Sequence, residues 1–169
     1  MSGKKNDFKI DPWGSSGLDD EDYLRLISEF GISELDESIR SKMSENRYMR
    51  RKIIFGHRDL ELVIKALTQN QPWAVMSGIK PSGPFHLGTI TTASEIVEFQ
   101  KIGAKAYYCI ADIESYEDNG ISYEDATQDA IDNVADILAL GLDPSPDKLY
   151  LWRQSEEPIV KDVCFLVSR

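Results

Sequence analysis

The sequence predicts an α/β fold built on a doubly wound parallel sheet, with a mostly helical extension in front of it. Three observations predict this. From Trp73 onward, short apolar runs alternate with longer stretches of helical periodicity, in the order strand, helix, strand, helix, strand, helix. The connections are short, which implies parallel pairing and right-handed crossovers. Ahead of Trp73 the periodicity is helical, with no convincing strand.

The elements follow in chain order. Leu18 to Phe30 reads as an amphipathic helix with Tyr23, Leu26, Ile27 and Phe30 on one stripe and Gly31 as its stop. Ser33 can cap a second helix, with Asp36 three residues on and Leu35, Ile39 and Met43 recurring every four residues. A third starts near Asp59 with Leu60, Val63, Ile64 and Leu67. Residues 1–70 are therefore expected to form an appended helical unit, and residues 71–169 the first part of the α/β domain. In that part, PWAVMSG is an apolar strand ending at Gly78, and a Pro/Gly loop leads into a helix from about Leu87 to Lys101. Ala106 to Ala111 is the next strand, Tyr123 to Leu140 a helix stopped by Gly141, and Lys148 to Trp152 a third strand. A last helix begins at Pro158, and the chain ends inside it at Arg169 without a cap, as expected of a truncated chain.

Composition narrows the classes. At 169 residues and 41% hydrophobic content, the chain is long enough for one full core. No apolar run approaches the roughly 18 residues that span a bilayer, and MSGKKNDFKI lacks the apolar stretch of a secretory signal, so a cytoplasmic location is expected, with no membrane partner. Cys109 and Cys164 stand far apart with no CxxC partner, which favours free thiols over a disulfide or a thiolate metal site. The net charge of -10 argues against coating nucleic acid by bulk attraction, but the charge is uneven. Arg40, Lys42, Arg47, Arg50, Arg51, Lys52 and Arg58 face only Glu45 in their stretch, while residues 111–147 hold eleven carboxylates and no Lys or Arg. Each run fits a solvated face, and the basic one also fits phosphate contacts.

Open parallel sheets bind ligands beyond the carboxyl ends of their strands, so the loops after Ser77 and after Ala111 belong to one edge. The first contains Gly78, Lys80, Pro81, Ser82, Gly83, His86, Gly88 and Thr89, and opens directly into a helix. Glycines let the backbone approach a bulky anion, free N–H groups at a helix start favour phosphate, and Ser82, His86 and Lys80 add donors and charge. By itself such a turn is equally a tight connection with a capping histidine. The full pattern, Pro81-Ser82-Gly83-x-x-His86-x-Gly88, resembles the HIGH motif of class I aminoacyl-tRNA synthetases, in the form found in tyrosyl and tryptophanyl enzymes.

The resemblance implies a Rossmann-like nucleotide-binding sheet in which Ser82 and His86 hold ATP phosphates as pyrophosphate departs. Thr89 stands where the motif usually has His or Asn, and its hydroxyl keeps a hydrogen-bond donor there. The segment Cys109 to Tyr116 resembles the amino-acid pocket of the same enzymes. In the tryptophanyl family a glutamate accepts the indole N–H at the position of Glu114, where the archaeal tyrosyl pattern has a histidine. Met76, Gly78 and Cys109 fall on substrate-pocket positions, Cys109 where eukaryotic relatives carry glutamine. An ionised carboxylate only accepts and an indole N–H only donates, so the pair rewards tryptophan over phenylalanine.

Asp11-Pro12-Trp13 and the stretch from Arg50 to Asp59 are similar to segments that precede the catalytic domain in archaeal and eukaryotic tryptophanyl enzymes. His57 in that stretch suits capping or packing better than chemistry. Arg50, Arg51 and Lys52 suit a surface toward tRNA or one that closes over ATP. The resemblance implies ATP with Mg2+, L-tryptophan and tRNA(Trp) as ligands, no resident metal site, and a homodimer formed through the region after Glu114. It also calls for a KMSKS-type lysine loop, a ribose-binding strand end and an anticodon-binding domain, none within these residues, so residues 1–169 alone are expected to be inactive. Ser41-Lys42-Met43-Ser44 echoes the letters of that loop but falls on a predicted helix. Two other readings stay open: an archaeal tyrosyl enzyme or another HIGH-motif nucleotidyltransferase, and a non-catalytic nucleotide- or tRNA-binding module.

Overall fold

A computed structural model of the chain describes residues 31–43 and 45–168, and the helix expected over Leu18 to Phe30 lies outside them. A two-stranded antiparallel ladder joins β1 (Ser33–Glu34) to β2 (Gly56–His57). Helix α1 (Glu37–Lys42) is capped by Asp36, whose carboxylate accepts the Ile39 N–H at 2.9 Å. The cap is thus not Ser33, because Ser33 and Glu34 are extended and paired with β2, and the chain turns only after Leu35. A short helix α2 (Arg47–Arg50), which periodicity did not reveal, is capped by Asn46 through the Tyr48 and Met49 N–H groups.

Helix α3 (Leu60–Thr68) starts where expected, and its first N–H is accepted by His57 Nδ1 at 3.3 Å. His57 is the capping and packed residue the sequence favoured. Leu35, Ile39, Met43, Met49 and Leu60 close into a buried cluster, so Met43 is core rather than part of a mobile lysine loop.

Three strands form a parallel sheet in the order β3 (Ala74–Ile79), β4 (Lys105–Ile110), β5 (Leu149–Arg153). Helices α4 (Leu87–Lys101), α5 (Asp112–Asn119), α6 (Tyr123–Ala139) and α7 (Pro158–Val167) follow and connect them. Both crossovers step the same way, as in the first half of a doubly wound sheet. Alternation sorts each strand into two faces. Ile79, Ala106, Tyr108, Ile110 and Leu149 pack beneath Ala93, Ile96 and Val97 of α4 and Ala130 and Ile137 of α6. On the opposite face Met76 and Gly78 lie in register with Tyr107 and Cys109, which in turn face Tyr150 and Trp152.

Two buried polar side chains of α4 tie it to its surroundings. Gln100 donates to the Asp143 and Lys148 carbonyls and accepts the Asp143 N–H, fixing the approach to β5. Glu98 accepts from Lys101 Nζ at 2.9 Å and from the Arg47 N–H at 3.2 Å. Burial alone would raise its pKa, but these donors outweigh it and hold the carboxyl below its ordinary value. Phe99 and Ile102, at the far end of the same helix, complete the cluster around Met43 and Met49. Among the described residues no helix is long and apolar enough to cross a membrane.

Candidate functional site

The carboxyl end of β3 runs into the loop Lys80 to His86 and then into α4, and a cleft of about 350 Å³ opens along it between Lys80, Ser82, Gly83, His86 and Thr89. Gly83 has φ +136°, a backbone conformation that other residues adopt only with strain. His86 is the N-cap of α4. Its Nδ1 accepts the Gly88 N–H at 3.2 Å, while the Thr89 hydroxyl accepts the His86 N–H at 2.7 Å and donates to the His86 carbonyl at 2.8 Å. With Nδ1 accepting, a neutral imidazole keeps its proton on Nε2, a donor on an exposed side chain. Thr89 spends its own donor within the turn, so it shapes the helix start here.

Three contacts hold the loop from beneath. Ser115 Oγ donates to the Pro81 carbonyl at 2.8 Å, Asn133 Nδ2 donates to the Gly83 carbonyl at 3.0 Å, and Lys80 Nζ pairs with Asp118 at 3.1 Å. Lys80 therefore leans on α5, with its charge already matched. Motif reading missed Ser115 and Asn133. A signal for Asn133 existed: it interrupts the buried stripe Ala126, Ala130, Ile137 with a polar group.

Met76, Gly78 and Cys109 come together on the open face of the sheet, Gly78 beside Cys109 in the ladder. A methyl group on Gly78 would lie 2.6 Å from the Cys109 carbonyl oxygen. Gly78→Ala is therefore expected to destabilise the fold by about 2 kcal/mol through strand displacement, a loss that urea unfolding will measure. Burial pushes the Cys109 thiol up to about 11, helped by the charges of Glu114 and Asp112, so this sulfur stays protonated and unreactive at neutral pH.

The segment expected as a loop after β4 is helical from Asp112 onward. Its acidic first turn and Gly120 in the left-handed C-cap conformation are ordinary helix signals, but no apolar stripe announces them. Asp112 is fully buried and accepts from Arg153 Nη2 at 2.9 Å, from the Ser155 N–H at 3.1 Å and from the Ser155 hydroxyl. Burial raises its pKa, yet the hydrogen bonds from Ser155 and Arg153 prevail and leave it lowered. Asp112 thus staples the end of β5 to the start of α5.

Two residues on, in the same first turn, the exposed Glu114 carboxylate accepts from Gln154 Nε2 at 2.9 Å beside an apolar cleft of about 460 Å³ lined by Ile113, Val160, Cys164 and Phe165. Gln154, another residue the motifs did not indicate, has its Oε1 buried without a partner.

The basic segment is partly structural. Arg40 donates to the Met49 and Ile54 carbonyls and Arg47 reaches Glu98, whereas Arg50, Arg51 and Lys52 are exposed. Among the described residues no three His, Cys, Asp or Glu side chains converge as a protein-bound metal would require.

Residues 68–169 match the family model of class I tRNA synthetases (W and Y). Over 160 residues, 94% of the chain, the sequence is 40% identical to the tryptophan–tRNA ligase of Methanosarcina acetivorans, and over 159 residues 38% identical to that of Archaeoglobus fulgidus. The chain spans 36% and 37% of the lengths of these two relatives. The crystal structure of tryptophanyl-tRNA synthetase from Aeropyrum pernix superposes on 81% of the chain and 38% of its own, with a TM-score of 0.71 at 34% identity. That from Plasmodium falciparum covers 79% and 38%, with a TM-score of 0.72 at 26% identity.

Proposed function

The chain belongs to the class I tRNA synthetases of the tryptophan and tyrosine type, and from that premise we propose that it carries the ATP loop and part of the amino-acid pocket of a tryptophan–tRNA ligase. The observation that carries this reading is the clamped Pro81–His86 loop at the carboxyl end of β3, with Glu114 in the first turn of the next helix along the same sheet edge. That is where an open parallel sheet takes its ligands. The identities to archaeal tryptophan–tRNA ligases over nearly the whole chain support the choice of amino acid.

In the proposed reaction a tryptophan carboxylate oxygen attacks the α-phosphorus of ATP and the bond to pyrophosphate breaks, giving tryptophanyl-adenylate; a hydroxyl at the 3′ end of tRNA(Trp) then attacks the acyl carbon, the acyl–phosphate bond breaks, and AMP leaves. No protein nucleophile is required. The Ser82 hydroxyl and the His86 Nε2–H supply donors toward the phosphates as charge builds on the departing pyrophosphate. Magnesium enters as the MgATP substrate, held by phosphate oxygens. Glu114 accepts the indole N–H in place of, or together with, the Gln154 amide. We place the enzyme in the cytoplasm, as a homodimer.

Tryptophan-dependent exchange of pyrophosphate into ATP by the full-length gene product tests this reading, and exchange dependent on tyrosine instead would refute it. Glu114→Gln is expected to weaken tryptophan binding by about 1–3 kcal/mol, the scale of a hydrogen bond to a charged group. Calorimetric titration with tryptophan and with its N1-methyl analogue checks the cause: the parent should discriminate between the two, and the variant, left with a neutral amide acceptor, less strongly.

A further inference from the structure

The loop from Pro81 to His86 is held by two side chains that lie outside its own motif. Ser115 is fully buried on α5 and Asn133 is 1% exposed on α6. Both donate to the loop's own carbonyls, Ser115 to Pro81 at 2.8 Å and Asn133 to Gly83 at 3.0 Å, the Ser115 hydroxyl lying farther, at 3.4 Å, from the Ala111 carbonyl one turn back on its helix. The carbonyl and N–H of a trans peptide unit point in opposite directions, and no peptide bond here is cis. With the Pro81 carbonyl pulled inward to Ser115, the Ser82 N–H of the same unit must point outward, toward the side on which the cleft opens. The next fixed unit, Gly83 to Pro84, has no N–H to offer, so Asn133 holds the turn without using up a donor.

Asn133 is a costly choice for stability alone. Its Oδ1 is buried without a partner, in a helix stripe otherwise built of Ala126, Ala130 and Ile137. An apolar residue of similar volume would pack there without that desolvation cost. What asparagine alone supplies is the grip on Gly83.

We propose that Ser115 and Asn133 are positioning residues of the nucleotide loop, turning the Ser82 amide N–H into the cleft to meet a phosphate oxygen of ATP. The proposal rests on the ATP reading of this loop, and the experiment separates the two. In the full-length gene product, KM for ATP and KM for tryptophan are measured by pyrophosphate exchange, with urea unfolding of each variant alongside. Ser115→Ala is expected to raise KM for ATP about fivefold, the scale of one neutral hydrogen bond, with KM for tryptophan unchanged and Ser115→Thr restoring the parent value. Asn133→Leu is expected to fold as stably as the parent or better, yet to raise KM for ATP to a similar degree.

A stable Asn133→Leu protein together with a Ser115→Ala protein, both with parental KM for ATP, would overturn the proposal. So would parallel losses for both substrates that simply track stability. Ser82→Ala and His86→Ala serve as reference arms. If they leave both KM for ATP and the maximal exchange rate untouched, the ATP reading of the loop fails; if either changes while KM for ATP stays parental in the Ser115 and Asn133 variants, only the positioning role fails.

Discussion

Replacing His86 with alanine is expected to slow tryptophan-dependent pyrophosphate exchange about 100- to 1000-fold, the usual consequence of removing one donor aimed at developing charge. In the proposed reading His86 has two jobs. It caps α4 through Nδ1 and, by the same contact, keeps the Nε2 proton free for the cleft. Losing the cap alone costs about 1 kcal/mol of stability. His86→Asn isolates the second job, because asparagine is an excellent N-cap but its amide is too short to reach where Nε2 stands. The asparagine variant should therefore unfold at nearly the parental urea concentration and still be about as slow as the alanine variant. Full activity in His86→Asn would show that the histidine serves only the helix.

Asp112→Ala should cost about 3 kcal/mol of folding stability, because it empties a buried site, leaves the Ser155 N–H and hydroxyl without their acceptor, and takes from the Arg153 guanidinium the buried one of its two carboxylate partners, Glu156 remaining. The effect carries a pH signature. The folded-state pKa of Asp112 lies below its unfolded value near 3.8, so its contribution is complete above that value and fades as pH falls below it toward the folded pKa. Urea midpoints of parent and variant should differ by a constant amount from pH 5 to pH 8 and converge below about pH 4. A gap that persists unchanged at pH 3 would mean the carboxylate charge is not what the staple uses.

The strong periodic elements were legible from residues alone. The helix read from about Leu87 to Lys101 matches α4 at both ends, because the Pro/Gly loop that opens directly into it marks its start. β1 and β2 escaped because two residues each are too few to show an alternation, and the ladder between them is set by a contact across more than twenty residues of chain. α5 escaped for another reason. It is a polar helix whose start is fixed by Arg153 and Ser155, forty residues further on, so its cause lies in the tertiary fold.

The loop residues Ser82 and His86 stood out because the order Pro81-Ser82-Gly83-x-x-His86-x-Gly88 resembles a family motif. Ser115 and Asn133 act only by donating to backbone carbonyls, a task that many positions could perform, so only the fold identifies which ones do. Glu114 was legible as a carboxylate at the right edge, but its partner Gln154 was not, since their meeting depends on where β5 ends.

Helix α4 has a mechanical consequence. One end carries the His86 cap, and the other end is embedded through Phe99 and Ile102 in the cluster around Met43 and Met49. Fifteen residues at about 1.5 Å each make a rod roughly 22 Å long. Tilting such a rod by about 3° at its embedded end swings the cap by roughly 1 Å, a displacement on the scale that can cost a reaction about 100-fold. The cluster of residues 35–67 is thus the fulcrum of a lever whose tip is the signature loop. A cavity opened there, by Met43→Ala for instance, would be felt in turnover at a distance from any substrate.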